Sequence, residues 1–147
     1  MQAIFPMRLP LKTEYACQVL AQLAKRHGEG GVRQVEELAS AERLSPNYLL
    51  QILTTLRQAG LVMSRRGKNG GYLLARHPDE ITLAEIATAM EGAALIESSP
   101  GNGGESAGPV HEAWVRADRA LRRCCAEISL SDLVAPDPAG EGADWVI

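Results

Sequence analysis

The segment Ser45-Pro46-Asn47-Tyr48-Leu49 carries the clearest helix start in the chain. Serine is a favoured N-cap, because its side-chain oxygen accepts a backbone N–H that has no partner within the helix. Proline at the first helical position has its φ already set and no N–H to lose. Tyr48, Leu49, Ile52, Leu53 and Leu56 then recur at spacings of three and four, and Gly60 stops the run. Upstream, Gln34 to Ala41 reads as a short helix burying Val35, Leu38 and Ala39, and Glu42-Arg43-Leu44 joins the two. Helix, tight connection and capped helix is the layout of a helix-turn-helix. Directly downstream, Leu61–Arg65 and Tyr72–Ala75 flank Arg66-Gly67-Lys68-Asn69-Gly70-Gly71. Glycine and asparagine supply the positive φ angles that a hairpin tip needs. A helix-turn-helix followed at once by such a hairpin is a winged helix, so the fold class is mainly α with a small β-hairpin wing.

The remaining elements surround this unit. A first helix fits Thr13 to His27, with Tyr15, Val19, Leu20 and Leu23 on one face and Gly28-Glu29-Gly30-Gly31 as its stop. Thr82-Leu83-Ala84-Glu85 is a capping box opening a helix to Met90. Residues 98–109 hold four glycines, two prolines and no large apolar side chain, the composition of a flexible loop. A long helix then fits Val110 to Ile128, in which Trp114, Ala117, Leu121, Cys124 and Ile128 form a narrow heptad-like stripe. Such a stripe belongs to a helix packed against another helix. Ser129-Leu130-Ser131-Asp132 caps one further turn. From Ala135 the tail is rich in Pro, Gly and Asp and reads as disordered, with Trp145-Val146-Ile147 as an apolar end.

Charge divides the chain. The net −3 combines a surplus of six cationic side chains over residues 1–77 with a surplus of nine carboxylates over residues 78–147. A basic half suits a polyanionic partner, and an acidic half is repelled by one. No apolar run approaches the ~18 residues of a membrane span and the N-terminus lacks a signal-peptide pattern, so a cytoplasmic protein without membrane attachment is expected. Three cysteines, Cys17, Cys124 and Cys125, form no C-x-x-C pair and support neither a disulfide framework nor a four-cysteine zinc site. Enzyme chemistry finds little footing. The glycine-rich run lacks the order of a phosphate-binding loop, no G-x-S-x-G is present, and His27, His77 and His111 are far apart. No catalytic residue, metal ligand set or cofactor is assigned.

DNA binding rests on which groups point outward. With the apolar stripe turned inward, the capped helix leaves Asn47, Gln51, Thr54, Thr55 and Gln58 outside, with Arg57 near its end. Asn and Gln amides pair with adenine in the major groove. The wing tip places Arg65, Arg66 and Lys68 beside Gly70 and Gly71, where cations and backbone N–H groups meet phosphate. Double-stranded DNA is the partner this arrangement suits. A winged helix docking an acidic protein is the alternative. Adjacent Cys124 and Cys125 point about 100° apart on a helix; Arg122 and Arg123 beside them leave a reactive thiol as the sharper alternative to simple packing.

The motifs Met7-Arg8-Leu9, Tyr15-Ala16, Ser45-x-x-Tyr48-Leu49-x-Gln51-Ile52-Leu53, Leu56-x-x-Ala59-Gly60-Leu61-Val62, Ser64-x-Arg66-Gly67-x-x-Gly70-Gly71-Tyr72-x-Leu74-Ala75, Pro78-x-x-Ile81 and Glu91-Gly92 resemble the Rrf-type family of bacterial repressors, the IscR-, NsrR- and CymR-like regulators. The likeness spans about residues 7–134, and the wing is its most specific part. It implies a homodimer joined by the long C-terminal helix, bound to a pseudo-palindromic operator with the capped helix in the major groove and the wing in the minor groove. It places Ser45, Asn47, Tyr48 and Gln51 at recognition-helix contact positions and Arg66 at the wing arginine. The stripe Trp114, Ala117, Leu121, Cys124 and Ile128 becomes the dimer interface. The chain then divides into a winged helix-turn-helix domain over 7–80, dimerisation helices over 81–134 with the flexible loop 98–109, and the tail 135–147.

Members of this family commonly hold an iron–sulfur cluster on three cysteines between the Glu-Gly pair and the long helix. Here Ala93 to Val110 contains none. His111 falls where relatives supply a histidine ligand and Glu14 where some supply a carboxylate from the other subunit, but thiolate is the usual anchor. The resemblance is therefore to a cluster-free branch. A regulatory protein, a small-molecule effector, or a redox or metal sensor using Cys124, Cys125, Glu14 or His111 is left to set DNA affinity.

Overall fold

A computed structural model of the chain describes residues 9–92 and 94–134. The Met7-Arg8 start, the tail 135–147 and its apolar end Trp145-Val146-Ile147 lie outside the described residues. The elements run α1 (Leu11–Lys25), α2 (Val35–Glu42), α3 (Pro46–Gln58), β1 (Val62–Arg65), β2 (Gly71–Leu74), a 3-10 turn (Pro78–Glu80), α4 (Leu83–Glu91), α5 (Ala107–Ala126) and α6 (Leu130–Leu133). Mainly helical with one hairpin wing, the architecture is the one read from the sequence.

Local chemistry sets the element ends. Helix α1 starts two residues before the expected Thr13, because Pro10 at φ −58° leads straight into the first turn. Thr13 is not a cap: its buried hydroxyl donates to Glu91 Oε2 across the fold. On α3, Ser45 Oγ accepts the Tyr48 N–H at 3.2 Å, as expected of the cap. Leu49, Ile52, Leu53 and Leu56 are buried. Tyr48 is half-buried, its ring edge-on to Tyr15 at 5.9 Å. The α2–α3 connection turns through Arg43 at φ 57°, a left-handed conformation that side chains seldom adopt.

In the wing, antiparallel β1 and β2 pair Val62 with Leu74 and Arg65 with Gly71. A third backbone segment, absent from the sequence reading, joins them: Arg33 and Tyr72 exchange two N–H···O bonds of 2.8 Å. This contact makes Gly71 obligatory. A Cβ there would sit 2.3 Å from the Arg33 carbonyl oxygen, at a φ of 150°.

One apolar core runs through the chain, with Val19, Leu20 and Leu23 of α1, Leu38 of α2, Leu53 and Leu56 of α3, Ile86 of α4 and Leu130 of α6. It continues across the boundary expected at residue 80. The chain after α5 returns to it: Leu83 N–H donates to the Ile128 carbonyl at 2.9 Å and Leu130 N–H to the Ile81 carbonyl at 2.7 Å.

Helix α5 differs. Over 20 residues its one buried residue is Asp118. That carboxylate accepts the N–H groups of Leu95 and Ile96, each at 2.8 Å, and its other oxygen lies 3.2 Å from Arg122 Nε. The hydrogen bond from Ile96 above all, with that from Leu95 and the Arg122 guanidinium, holds Asp118 below the usual carboxylate range against the opposing effect of burial. Helix α5 also begins three residues before the expected Val110. Pro109 falls in its first turn, where a missing N–H costs nothing. Among the described residues no helix is long and apolar enough to cross a membrane.

Candidate nucleic-acid interface

The outward face of α3 carries Asn47, Leu50, Gln51, Arg57 and Gln58, all exposed. Thr54 and Thr55, expected on the same face, turn their hydroxyls back to the carbonyls of Leu50 (2.8 Å) and Gln51 (3.2 Å). The amides of Asn47 and Gln51 are one helical turn apart and have no side-chain partner among the described residues. Each is free to offer the donor–acceptor pair that adenine presents in mirror image in a major groove. Leu50 beside them is 39% exposed, an apolar group on an otherwise polar face.

The wing adjoins this face. Arg57 Nη1 reaches Ser64 Oγ at 3.4 Å, tying the end of α3 to β1. Arg65, Arg66 and Lys68 stand exposed at the tip, with no carboxylate within ion-pair distance among the described residues. The turn itself fixes Gly70. Its N–H donates to the Gly67 carbonyl at 2.9 Å, and a Cβ there would lie 2.2 Å from the Arg65 carbonyl oxygen. The glycines let the hairpin close tightly and so project the cations. Unpaired arginines and lysine at a glycine-rich tip are what an anionic backbone attracts.

The expected stripe on α5 faces solvent in the single chain. Trp114 is 44% and Leu121 40% exposed, Ala117 and Cys124 are exposed, and Ile128 is half-buried. Val110, 53% exposed, extends the stripe by one position that the sequence reading missed. From Val110 to Cys124 the spacing alternates four and three, the signature of a coiled-coil seam, whereas Ile128, expected to continue the stripe, lies beyond the end of α5 at Ala126.

Within one chain the candidate sensor residues do not assemble. His111 Nδ1 lies 3.0 Å from Ser98 Oγ at the start of α5, and Glu14 is exposed on α1. Cys124 is thirteen residues further along α5, about 20 Å at the helical rise. Burial pushes the Cys17 thiol up to about 11, with the Glu14 charge adding to it. Burial also raises Cys125. Thiols held protonated are poor ligands, and the described residues contain no group of three His, Cys, Asp or Glu placed to hold a metal ion. The donor set does not fit an iron–sulfur cluster.

The profile of the Rrf2 family, described as an iron-dependent transcriptional regulator, matches residues 9–136. The HTH-type transcriptional regulator CymR of Bacillus subtilis is 36% identical over 130 residues, spanning 88% of this chain and 91% of that protein. The regulator IscR of Xenorhabdus nematophila is 31% identical, over 94% of this chain and 85% of its own. The solved structure of CymR, the global cysteine regulator of B. subtilis, superposes with a TM-score of 0.75 at 34% identity, covering 88% of this chain and 97% of that one.

Proposed function

The chain belongs to the Rrf2 family of DNA-binding transcriptional regulators, not of enzymes, and from that premise we propose that it acts in the cytoplasm as a homodimeric repressor of a pseudo-palindromic operator, without an iron–sulfur cluster. The observation that carries this reading is the pair of unpartnered amides, Asn47 and Gln51, on a helix whose end is tied to an exposed cationic wing. Asn47 and Gln51 read bases in the major groove. Ser45 and Tyr48 fix the start of that helix against the groove edge. Arg57, Arg65 and Lys68 hold phosphates, and Arg66 enters the minor groove, where a narrow width strengthens the attraction. Gly70 and Gly71 allow the wing to approach. Trp114, Ala117, Leu121, Cys124 and Ile128 pack against the same residues of a second copy. Two reading helices then face successive turns of one duplex, and a dimer seated on a promoter blocks transcription.

Selection from a random oligonucleotide pool tests the proposal. It should enrich a two-fold symmetric site with half-sites about one helical turn apart. Gln51→Ala should relax preference at one base per half-site, by ~1–3 kcal/mol of discrimination. A pool with no enriched motif would instead favour a winged helix that docks an acidic protein. Protein purified without oxygen should be colourless. Absorbance near 400 nm with stoichiometric iron, the mark of a cluster, would overturn the cluster-free assignment.

A further inference from the structure

A cavity of about 560 Å³ lies between the start of α1, α4, the segment 94–97 and α5. This volume falls within the range of small-molecule sites. We propose that it is an effector site for an apolar organic cation. The regulatory consequence rests on the DNA-binding reading above; binding itself does not.

The walls are chiefly apolar, with Leu83 and Ala87 of α4, Leu95 and Ile96 opposite, and Leu121 of α5. Cys17 and Cys125 contribute neutral thiols, soft and weakly polar surface that suits an apolar body and offers no thiolate to a metal. Among the described residues the charged groups lining the cavity are both acidic, Glu91 and Glu97. Glu91 is the fixed one. The buried Thr13 hydroxyl donates to its Oε2 and sets the carboxylate's orientation, while Oε1 has no partner among the described residues. An oriented, half-satisfied carboxylate at the rim of an apolar space selects a cation and rejects an anion of the same shape.

The position supplies the coupling. One wall is α1, which packs against α3, the reading helix; the opposite wall is α5, which carries the exposed stripe. The segment 94–97 is held to α5 by Asp118. A molecule inserted here sets the spacing of α1 and α5, and so the spacing of two reading helices in a dimer. An effector that prefers one spacing changes operator affinity by its differential affinity for the two.

Tetraphenylphosphonium and tetraphenylborate are matched probes, alike in shape and opposite in charge. Titration calorimetry on the DNA-free protein should show one saturable phosphonium site per chain and at least tenfold weaker borate binding. Glu91→Gln, which keeps the shape and removes the charge, should weaken phosphonium binding at least fivefold. Ala94→Phe, which fills the cavity from its loop wall, should abolish it. Both variants should keep the circular dichroism spectrum of the parent, and Glu91→Gln its operator affinity. Equal binding of both probes, phosphonium binding indifferent to Ala94→Phe, or no saturable binding would each overturn the site. Affinity that falls as protein concentration rises would show a second copy filling the space, which overturns it too. Because these titrations contain no DNA, failure of operator selection leaves their result standing.

Discussion

Helices α1 and α5 are the two longest in the chain and obey opposite rules. Helix α1 buries six residues, five of them in the core shared with α2, α3 and α4. Helix α5 is five residues longer, yet buries only a carboxylate and presents Val110, Trp114 and Leu121 to solvent. The first is finished within one chain. The second has the periodicity of a helix pair and only half of the pair. A contiguous exposed apolar stripe marks a surface that another molecule covers. The comparison therefore separates a unit whose core closes within one chain from an element whose apolar seam one chain leaves uncovered.

The strongest way to break that separation is Leu121→Glu. A charge in the seam should convert the dimer to a monomer and lower operator affinity at least a hundredfold, since the second half-site then binds without the effective concentration of the first. Circular dichroism should show the helices retained, and size-exclusion chromatography with light scattering reads the mass. Retained dimer and affinity would remove Leu121 from the interface.

Asp118 sharpens the same boundary from the α5 side. Asp118→Ala leaves the Leu95 and Ile96 N–H groups without their acceptor and should cost ~1–3 kcal/mol in chemical denaturation. The native pKa of Asp118 lies below its unfolded value of about 3.9. Its stabilisation is therefore complete above that value and is lost as pH falls through the lower, native one. Hydrogen exchange at Leu95 and Ile96 should accelerate at that acid end. Protection unchanged between the parent and Asp118→Ala would show that something else pins the segment.

Arg66→Ala acts on the reading unit alone. It should weaken operator binding about tenfold and lower the salt slope by about one, with the dimer and its melting temperature unchanged. The smallest effect belongs to Ser45→Ala, which removes the α3 cap and should cost ~1 kcal/mol of stability. Full stability in that variant would mean that Pro46 and the helix-turn-helix packing hold the start of α3 unaided.

The two regions were also unequally legible. Helix α3 and the wing followed from Ser45, Pro46, the three-four apolar spacing and the glycine-rich tip, because each is local chemistry acting over a few residues. The stripe on α5 was visible for the same reason. Arg33 pairing with Tyr72, Thr13 with Glu91 and Asp118 with the 95–96 backbone were not, because each joins distant segments through one or two hydrogen bonds that leave no periodic trace. Leu130 reads as part of one further turn after the long helix, yet its side chain belongs to the core of the reading unit. Among the site residues, the outward direction of Asn47 and Gln51 followed from the apolar stripe. That Thr54 and Thr55 would turn back to their own helix did not.

Sedimentation equilibrium of the free protein and of its complex with a selected operator tests the central claim most directly. The account predicts twice the 15.8 kDa chain mass for the free protein, and that mass added to the duplex in the complex, with two chains on each symmetric site. A single chain bound to an asymmetric site, with α5 still exposed, would contradict it.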